Sequence, residues 1–259
     1  MVEQVKKLLD RKIKSVKELE QLRQSLTSKK DAARTTVSVC GGTGCRASGA
    51  EAVVEAFAEE IEKRELQVTV DFKETGCHGF CERGPVVVIG PKKIFYQHVK
   101  PEDVPEIIND TVLQGKVIDR LCYTDAATNQ KITYEADVPF YNRQTRHILG
   151  ANGEIDPTDI EQYIAAGGYA ALSKALFEMN PDKIVNEVTK AGLRGRGGGG
   201  FPTGRKWQSC RTSESDVKYV LCNADEGDPG AYQDRSILEG NPHSVIEGMI
   251  IGAFAIGAR

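Results

Sequence analysis

Apolar residues recur at helical spacing from the first turn of the chain, at Val5, Leu8, Leu9, Val16, Leu19, Leu22 and Leu26. That period predicts helix over residues 1–34, with a predominantly basic polar face. A solvated amphipathic helix pair packed on its own protein or a neighbour satisfies the pattern; a nucleic-acid arm is the other reading. From residue 35 the pattern shortens. "TTVSVC" reads as a strand, "SGAEAVVEAFAEEIEKR" as a helix and "LQVTVDF" as a second strand. "PVVVIG" and "KKIFYQH" form a hairpin around Gly90-Pro91, and "PEDVPEIINDTVLQ" closes as helix. The order β-α-β-β-β-α predicts a small α/β sandwich over residues 35–115. Residues 116–150 lack a clear period and read as a connector that lies against its neighbours.

A second domain is expected over residues 151–259. "DPTDIEQYIA", "GYAALSKALFEM" and "NPDKIVNEVTKAGL" predict three helices, with start signals at Asp156-Pro157, Gly168 and Asn180-Pro181. A glycine loop follows, then the helical "KWQSCR", the strand-like "VKYVLCNA", the acidic turn "DEGDPGAY" and a long helix to the end. One strand does not complete an α/β sheet, so the sequence is expected to be a fragment or to be completed by a second polypeptide.

Composition narrows the classes. Hydrophobic residues at 40% and charged residues at 27% are ordinary for a globular chain of 259 residues. A formal charge of −3 does not suggest nucleic acid. The longest apolar run, "VIEGMIIGAFAIGA", contains Glu247 and falls short of a membrane span. The charged opening "MVEQVKKLLDRKIK" is no signal peptide, and a cytoplasmic setting is expected. Seven cysteines, an odd number, point there to metal or redox chemistry rather than disulfides.

Four of the seven carry ligand spacing: Cys40 and Cys45 in "CGGTGC", Cys77 and Cys81 in "GCHGFC". Each pair follows a strand-like segment, and flanking glycines let backbone amides approach the sulfurs. Four thiolates suit a tetrahedral zinc or a 2Fe-2S cluster. His78 reads as an exposed loop side chain or as a group that tunes a cluster. Cys122, Cys210 and Cys222 read as small buried hydrophobes.

The loop "AGLRGRGGGGFPTGRKW" lacks the Gly-Lys-Ser/Thr ending of a triphosphate loop and follows a helix rather than a strand. Its consecutive glycines nevertheless expose amides to an anion, and a helix starting near Gly204 points its positive end there. Arg205 and Lys206 add charge, so a phosphate-bearing cofactor is the expected occupant and a flexible linker the alternative. In "CNADEGDPGAYQDR", Asn223, Asp225, Glu226 and Asp228 crowd the end of the strand-like segment, where α/β folds place ligands. They suit a flavin ring or ribose, a magnesium ion, or an acidic surface turn.

The wording "CGGTGC … GCHGFC" resembles the thioredoxin-like 2Fe-2S ferredoxins, which also form the 24-kDa-type subunit of respiratory complex I. "GLRGRGGGGFPTGRKW", "CNADEGDPGAYQDR" and "NPHSVIEGM" resemble the FMN- and NAD(H)-binding 51-kDa-type subunit. Relatives of that family occur in NAD-linked hydrogenases, formate dehydrogenases and electron-bifurcating enzymes. The implied fold is α/β: a thioredoxin-like 2Fe-2S domain followed by the start of a Rossmann-like FMN/NADH-binding domain.

On that resemblance Cys40, Cys45, Cys77 and Cys81 are the cluster ligands. Gly195, Arg196, Gly197, Gly198 and Gly200 wrap the FMN phosphate and ribityl chain, and Lys206 reaches the cofactor. Asn223, Asp225 and Glu226 contact the flavin, Glu226 and Asp228 line the nicotinamide pocket, and Phe201 stacks on adenine. Respiratory members often carry glutamate at the position of Asp228 and alanine at that of Gly199, whereas the soluble hydrogenases read as this chain does. The family continues with more sheet, a ubiquitin-like domain and a helical bundle holding a 4Fe-4S cluster, all beyond residue 259.

The resemblance therefore implies a subunit that oxidises NAD(P)H, or reduces NAD(P)+, through FMN. Electrons pass by iron–sulfur clusters to other subunits of a hydrogenase-, formate dehydrogenase- or complex I-like assembly, with no membrane insertion. A non-catalytic 2Fe-2S electron-transfer or docking subunit, whose flavin domain needs a partner chain, is the alternative.

Overall fold

The computed structural model describes residues 12–28 and 34–258. Val5, Leu8 and Leu9, expected in helix, lie outside the described residues. Helix α1 spans Val16–Ser28. There follow β1 (Thr35–Cys40), α2 (Thr43–Ala47), α3 (Ala50–Lys63), β2 (Val70–Thr75), β3 (Val87–Ile89) and β4 (Ile94–Tyr96). Helix α4 (Val104–Glu106) runs on into a π-helical stretch at Ile107–Val112, followed by β5 (Tyr123–Thr124), β6 (Lys131–Ile132) and α5 (Pro139–Asn142). Then come α6 (Ile160–Ala165), α7 (Ala170–Glu178), α8 (Pro181–Lys190), α9 (Thr203–Thr212), α10 (Gln233–Gly240) and α11 (Pro242–Ile256). The described residues gather into two compact units, one of 34–162 with 226–242, the other of 12–28, 163–225 and 243–258.

The first unit is built on a four-stranded sheet in the order β2-β1-β3-β4. Strand β1 runs parallel to β2, with Thr35 opposite Val70 and Cys40 opposite Thr75, and antiparallel to β3. Side chains alternate between the sheet faces, as a period of two requires. Val37, Val39, Val87, Ile89, Ile94 and Tyr96 enter one core with Val53 and Phe57 of α3. Cys40, Val86, Val88 and Phe95 enter the other. Helix α3 buries Ala50, Val53, Phe57, Glu60 and Ile61, a single stripe, and Phe57 stacks on Phe72 at 5.8 Å. Each such buried large side chain contributes roughly 1.5–3 kcal/mol.

Strand β2 begins later than its sequence pattern predicts. The amide of Leu66 donates to Ile61 O and that of Val70 to Leu66 O, at 3.0 and 2.9 Å. The exit from α3 therefore consumes the first alternating residues, and pairing starts only at Val70. Residues expected to be a connector without period become part of the core instead. The β5–β6 hairpin and α5 lay Tyr123, Val138 and Tyr141 against the face that carries Cys40 and Cys45.

The second unit is helical. Leu19, Leu22 and Leu26 of α1 pack on Ile164, and Arg23 Nε donates to Ile164 O at 3.1 Å. Ala175, Ile184, Val185 and Ala255 form a further cluster. Buried Glu247 accepts from Tyr163 OH at 2.6 Å and from the amides of Tyr169 and Leu172 at 2.9 Å each. It thereby closes the first turn of α7. Asn180 caps α8 as its position predicts, accepting from the amide of Lys183 at 2.9 Å.

Two expectations fail here. The strand-like "VKYVLCNA" forms no strand, and Val217, Tyr219 and Leu221 stand 46%, 73% and 87% exposed. Alternation marks a segment as suited to a sheet, but a strand exists only where a neighbour takes its N–H and C=O groups. Among the described residues this unit contains no strand. Cys222, on the same segment, is correspondingly exposed rather than buried. The expected long terminal helix is two, α10 and α11, because Pro242 has no N–H to continue α10 and is suited to start a helix.

Candidate functional site: four thiols, a glycine loop and an acidic turn

The fold brings the four spaced cysteines together. Cys40 ends β1, Cys45 lies in α2, Cys77 follows β2, and Cys81 opens the short 3-10 turn Cys81–Arg83. Helix α2, which the sequence pattern did not announce, turns Cys45 inward. Cys40 and Cys45 are 1% exposed and Cys77 8%, while Cys81 reaches the surface. Cys40 lies within hydrogen-bonding reach of Cys45 and Cys77, and the Cys77 and Cys81 sulfurs are 3.7 Å apart. The thiols thus form a chain of neighbours, and among the described residues no three acidic, histidine or cysteine side chains converge on one ion. Four thiols brought this near to one another suit two irons with two thiolates each, or a tetrahedral zinc.

Backbone amides supply a second fit. The amide of His78 donates to Cys40 Sγ at 3.4 Å and that of Gly79 to Cys77 Sγ at 3.3 Å. Val86 and Gly44 donate to the sulfurs of Cys45 and Cys81. Each sulfur therefore has a donor placed for thiolate character, as outer-shell partners of a metal site do. Glycine makes this possible at Gly42 and Gly44, where a Cβ would fall 2.7 Å from the Cβ atoms of Cys77 and Cys81.

Crowding governs how these thiols ionise when no metal compensates them. Its hydrogen bond to Cys45, with burial, pushes Cys40 up to about 12, and the same bond lowers Cys45. Cys77 is raised by its bond to Cys40 and by burial, and Cys81 is pushed up to about 11 by burial and the nearby Cys77. A site that favours one thiolate and resists the next three needs cationic charge to ionise them all.

His78 is not the exposed loop side chain that one reading of the sequence expects. It is 1% exposed, with Nε2 2.8 Å from Thr75 Oγ1 and Nδ1 3.6 Å from Glu135 Oε1. Glu135 is held below its ordinary value: burial opposes its charge, and His78, Lys93 and Arg146 outweigh that. No motif flagged Glu135, which lies in the segment read as a connector.

In the helical unit the glycine loop is closed at its base like a small ribbon. The amide of Gly195 donates to Phe201 O and that of Thr203 to Leu193 O, both at 2.9 Å, and Arg194 Nη1 holds Gly200 O at 3.1 Å. Gly198 and Gly200 adopt positive φ of 94° and 58°, which turns the chain back between those bonds. A Cβ at Gly197, Gly198 or Gly199 would meet nothing, so the tip is open on both sides. Helix α9 starts at Thr203 with no side-chain cap. Arg196, Arg205 and Lys206 are exposed beside it, and the Arg205 guanidinium lies 5.8 Å from the Phe201 ring centroid. An open tip, an uncapped helix start and exposed basic residues in the same segment are features that suit an anion.

The acidic turn is divided, because the boundary between the two units falls between Asp225 and Glu226. Asn223 and Asp225 stay exposed in the helical unit, Asn223 Oδ1 accepting from the amide of Asp225 at 2.9 Å. Asp228 is exposed and its carbonyl accepts from the amide of Ala231 at 3.0 Å. Glu226 behaves differently. Its carboxylate accepts from the amides of Gln233, Asp234 and Arg235 at 2.5, 3.0 and 3.2 Å, capping α10 from seven residues upstream. In this structure the Glu226 carboxylate is thus engaged with the start of α10.

Comparison with known proteins divides the chain differently from the two units. Residues 1–112 match the family described as thioredoxin-like 2Fe-2S ferredoxin, and residues 188–259 match the Nuo51 FMN-binding domain. The NADP-reducing hydrogenase subunit HndC of Solidesulfovibrio fructosivorans is 56% identical over 41% of this chain and 21% of its own. An NADH-quinone oxidoreductase subunit of Escherichia coli is 50% identical over 39% of this chain and 23% of its own. The alpha subunit of the NAD-reducing hydrogenase HoxS of Cupriavidus necator is 30% identical over 89% of this chain and 36% of its own. The matched stretches thus span between 21% and 36% of these relatives. The chain is thus similar, over residues 1–112, to the thioredoxin-like 2Fe-2S ferredoxins and, over residues 188–259, to the Nuo51-type FMN-binding proteins.

Proposed function

We propose that this chain is part of an electron-transfer flavoprotein subunit that oxidises NAD(P)H, or reduces NAD(P)+, and exchanges electrons with other iron–sulfur subunits of a multi-subunit redox complex. The observation that carries the proposal is the set of four neighbouring thiols, each facing a backbone amide, on the same chain as an open, cation-flanked glycine tip. Cys40, Cys45, Cys77 and Cys81 would hold a 2Fe-2S cluster. Gly195, Arg196, Gly197, Gly198, Gly200 and Lys206 would hold the phosphate end of FMN, and Phe201 offers an exposed ring to adenine. When bound, FMN supplies the exchange between a two-electron nicotinamide donor and one-electron centres.

The residues of the chain orient and enclose. Asn223 and Asp225 present an amide and a carboxylate for flavin and ribose groups, and Asp228 presents one toward the nicotinamide. Glu226 holds the backbone of that turn. The complex is proposed to be cytoplasmic, in keeping with cysteines that form no disulfide among the described residues. No helix among them is long and apolar enough to cross a membrane. Hydrogenase-, complex I- and formate dehydrogenase-like assemblies are the proposed partners, with 4Fe-4S centres supplied outside this stretch.

The test is a purified chain reconstituted with iron, sulfide and FMN. Brown protein with acid-labile sulfide, a yellow flavin that bleaches on NADH and activity with an artificial acceptor are expected. Iron and sulfide without flavin or acceptor activity would leave only an electron-transfer or docking module. Zinc in place of iron would overturn both.

A further inference from the structure

Helix α10 falls within the stretch that matches the FMN-binding family, yet in the structure it packs on the cysteine loops. At its C-terminal end Gly240 meets Gly76, the residue before Cys77. A Cβ on Gly76 would stand 2.4 Å from the Gly240 Cα, and a Cβ on Gly240 would stand 2.4 Å from Asn152 Nδ2. Asn152 is fully buried and its Nδ2 donates to Ser236 O at 2.9 Å, which ties the middle of the helix to the same floor. On the other side Glu239 Oε1 accepts from Arg235 Nε at 2.8 Å, and its Oε2 lies 3.4 Å from Thr43 Oγ1, between Gly42 and Cys45. The helix borders a cavity of about 410 Å³ whose lining includes Gly42, Glu74, Cys77 and Arg235. Its N-terminal end is held by Glu226, whose two carboxylate oxygens take the amides of Gln233, Asp234 and Arg235.

We propose that α10 is the docking element that fixes residues 226–232 against the cysteine loops, with Glu226 at one end and the Gly76–Gly240 contact at the other, so that Glu226 is a positioning residue. The physical reason is rigidity. A helix of eight residues with unfilled N-terminal amides frays, and an acceptor at its first turn prevents that. Two glycines let its far end reach the Cys77 loop at backbone distance, where a Cβ would displace it. Displacement at either end reaches the sulfurs through Gly76 and Thr43. The inference rests on the reading that these cysteines hold a 2Fe-2S cluster.

The test uses the cluster-loaded chain and three variants, Glu226→Ala, Glu226→Gln and Gly240→Ala. Amide hydrogen exchange by mass spectrometry reads the helix, and EPR of the dithionite-reduced cluster reads the sulfurs. Glu226→Ala is expected to speed exchange over residues 233–240 by about fivefold to thirtyfold, the factor that follows from losing a helix cap. Glu226→Gln keeps an acceptor oxygen and is expected to recover much of that protection. Gly240→Ala, far from the turn, is expected to match Glu226→Ala in exchange, and both are expected to shift the EPR g-values. Unchanged exchange in Glu226→Ala, a glutamine variant no better than alanine, or an unaltered spectrum in Gly240→Ala would each overturn the proposal. Exchange is read whether or not flavin binds, and iron and sulfide are assayed separately, so a failure of the functional reading is recognised as its own result.

Discussion

Gly42→Ala adds one methyl group at the point where the two cysteine loops meet. The backbone there has φ −63° and ψ 154°, which alanine adopts freely, so the perturbation is steric alone. The new Cβ would lie 2.7 Å from Cys77 Cβ, 2.9 Å from Cys77 Cα and 3.0 Å from Cys77 Sγ. The first of these is about 0.7 Å short of the 3.4 Å at which ordinary contact begins. Cys77 must give way with its backbone, because two of the three atoms are Cα and Cβ. Overpacking of this kind costs about 1–3 kcal/mol, or a fall in Tm of roughly 2–12 °C for a unit of this size. Metal–thiolate bonds tolerate only about 0.2 Å, so the cluster suffers as well as the fold. The assay is thermal unfolding of the metal-free chain, paired with the rate at which a chelator strips iron from the loaded chain. Gly49→Ala is the control: φ is 94° and a Cβ meets nothing, so it strains the backbone by about 1–3 kcal/mol without touching a thiol. A Gly42→Ala chain with native Tm, and with iron retained as well as in the control, would refute the packing on which the cysteine site is built.

Cys77→Ser is expected to abolish the 2Fe-2S visible spectrum, whereas Cys122→Ser, on a thiol buried near Ile118 O, retains it; iron and sulfide analysis decides. Gly198→Val places a β-branched residue at φ 94° in the glycine tip and is expected to lower FMN affinity at least tenfold, measured by flavin fluorescence, while the cluster spectrum stays. Glu247→Ala removes the acceptor of Tyr163 OH and of two amides, and is expected to destabilise the helical unit by about 3 kcal/mol in urea unfolding. Glu226 has a carboxyl held below its ordinary value: partial desolvation works against it and the amides of Asp234, Arg235 and Gln233 outweigh it. Its stabilising effect is therefore present above the unfolded value near 4.5 and is lost as pH falls through the lower folded value. Hydrogen exchange of residues 233–240, corrected for intrinsic rates, should accelerate on acidification, and a Glu226→Gln chain should lack that pH dependence.

What the sequence determined by itself is whatever a local period or spacing encodes. The alternation at Val37–Val39 and at Val87–Ile89 names strands, the stripe through Val53, Phe57 and Ile61 names a helix, and paired cysteines among glycines name a thiolate site. Only the tertiary structure decided where partners had to be found at a distance. Strand β2 started at Val70 because β1 paired with it there and the exit from α3 took the residues before. His78 went inside because Thr75 and Glu135 were there to meet its ring, and Glu135 came from a segment without a period. The alternating residues 217–222 made no strand for want of a neighbour, since a period of two supplies side chains for a sheet but not the hydrogen bonds that make one. Glu226, acidic in any reading of the motif, became a helix cap because the chain folds back to bring three amides to it, and no spacing in the sequence encodes that approach.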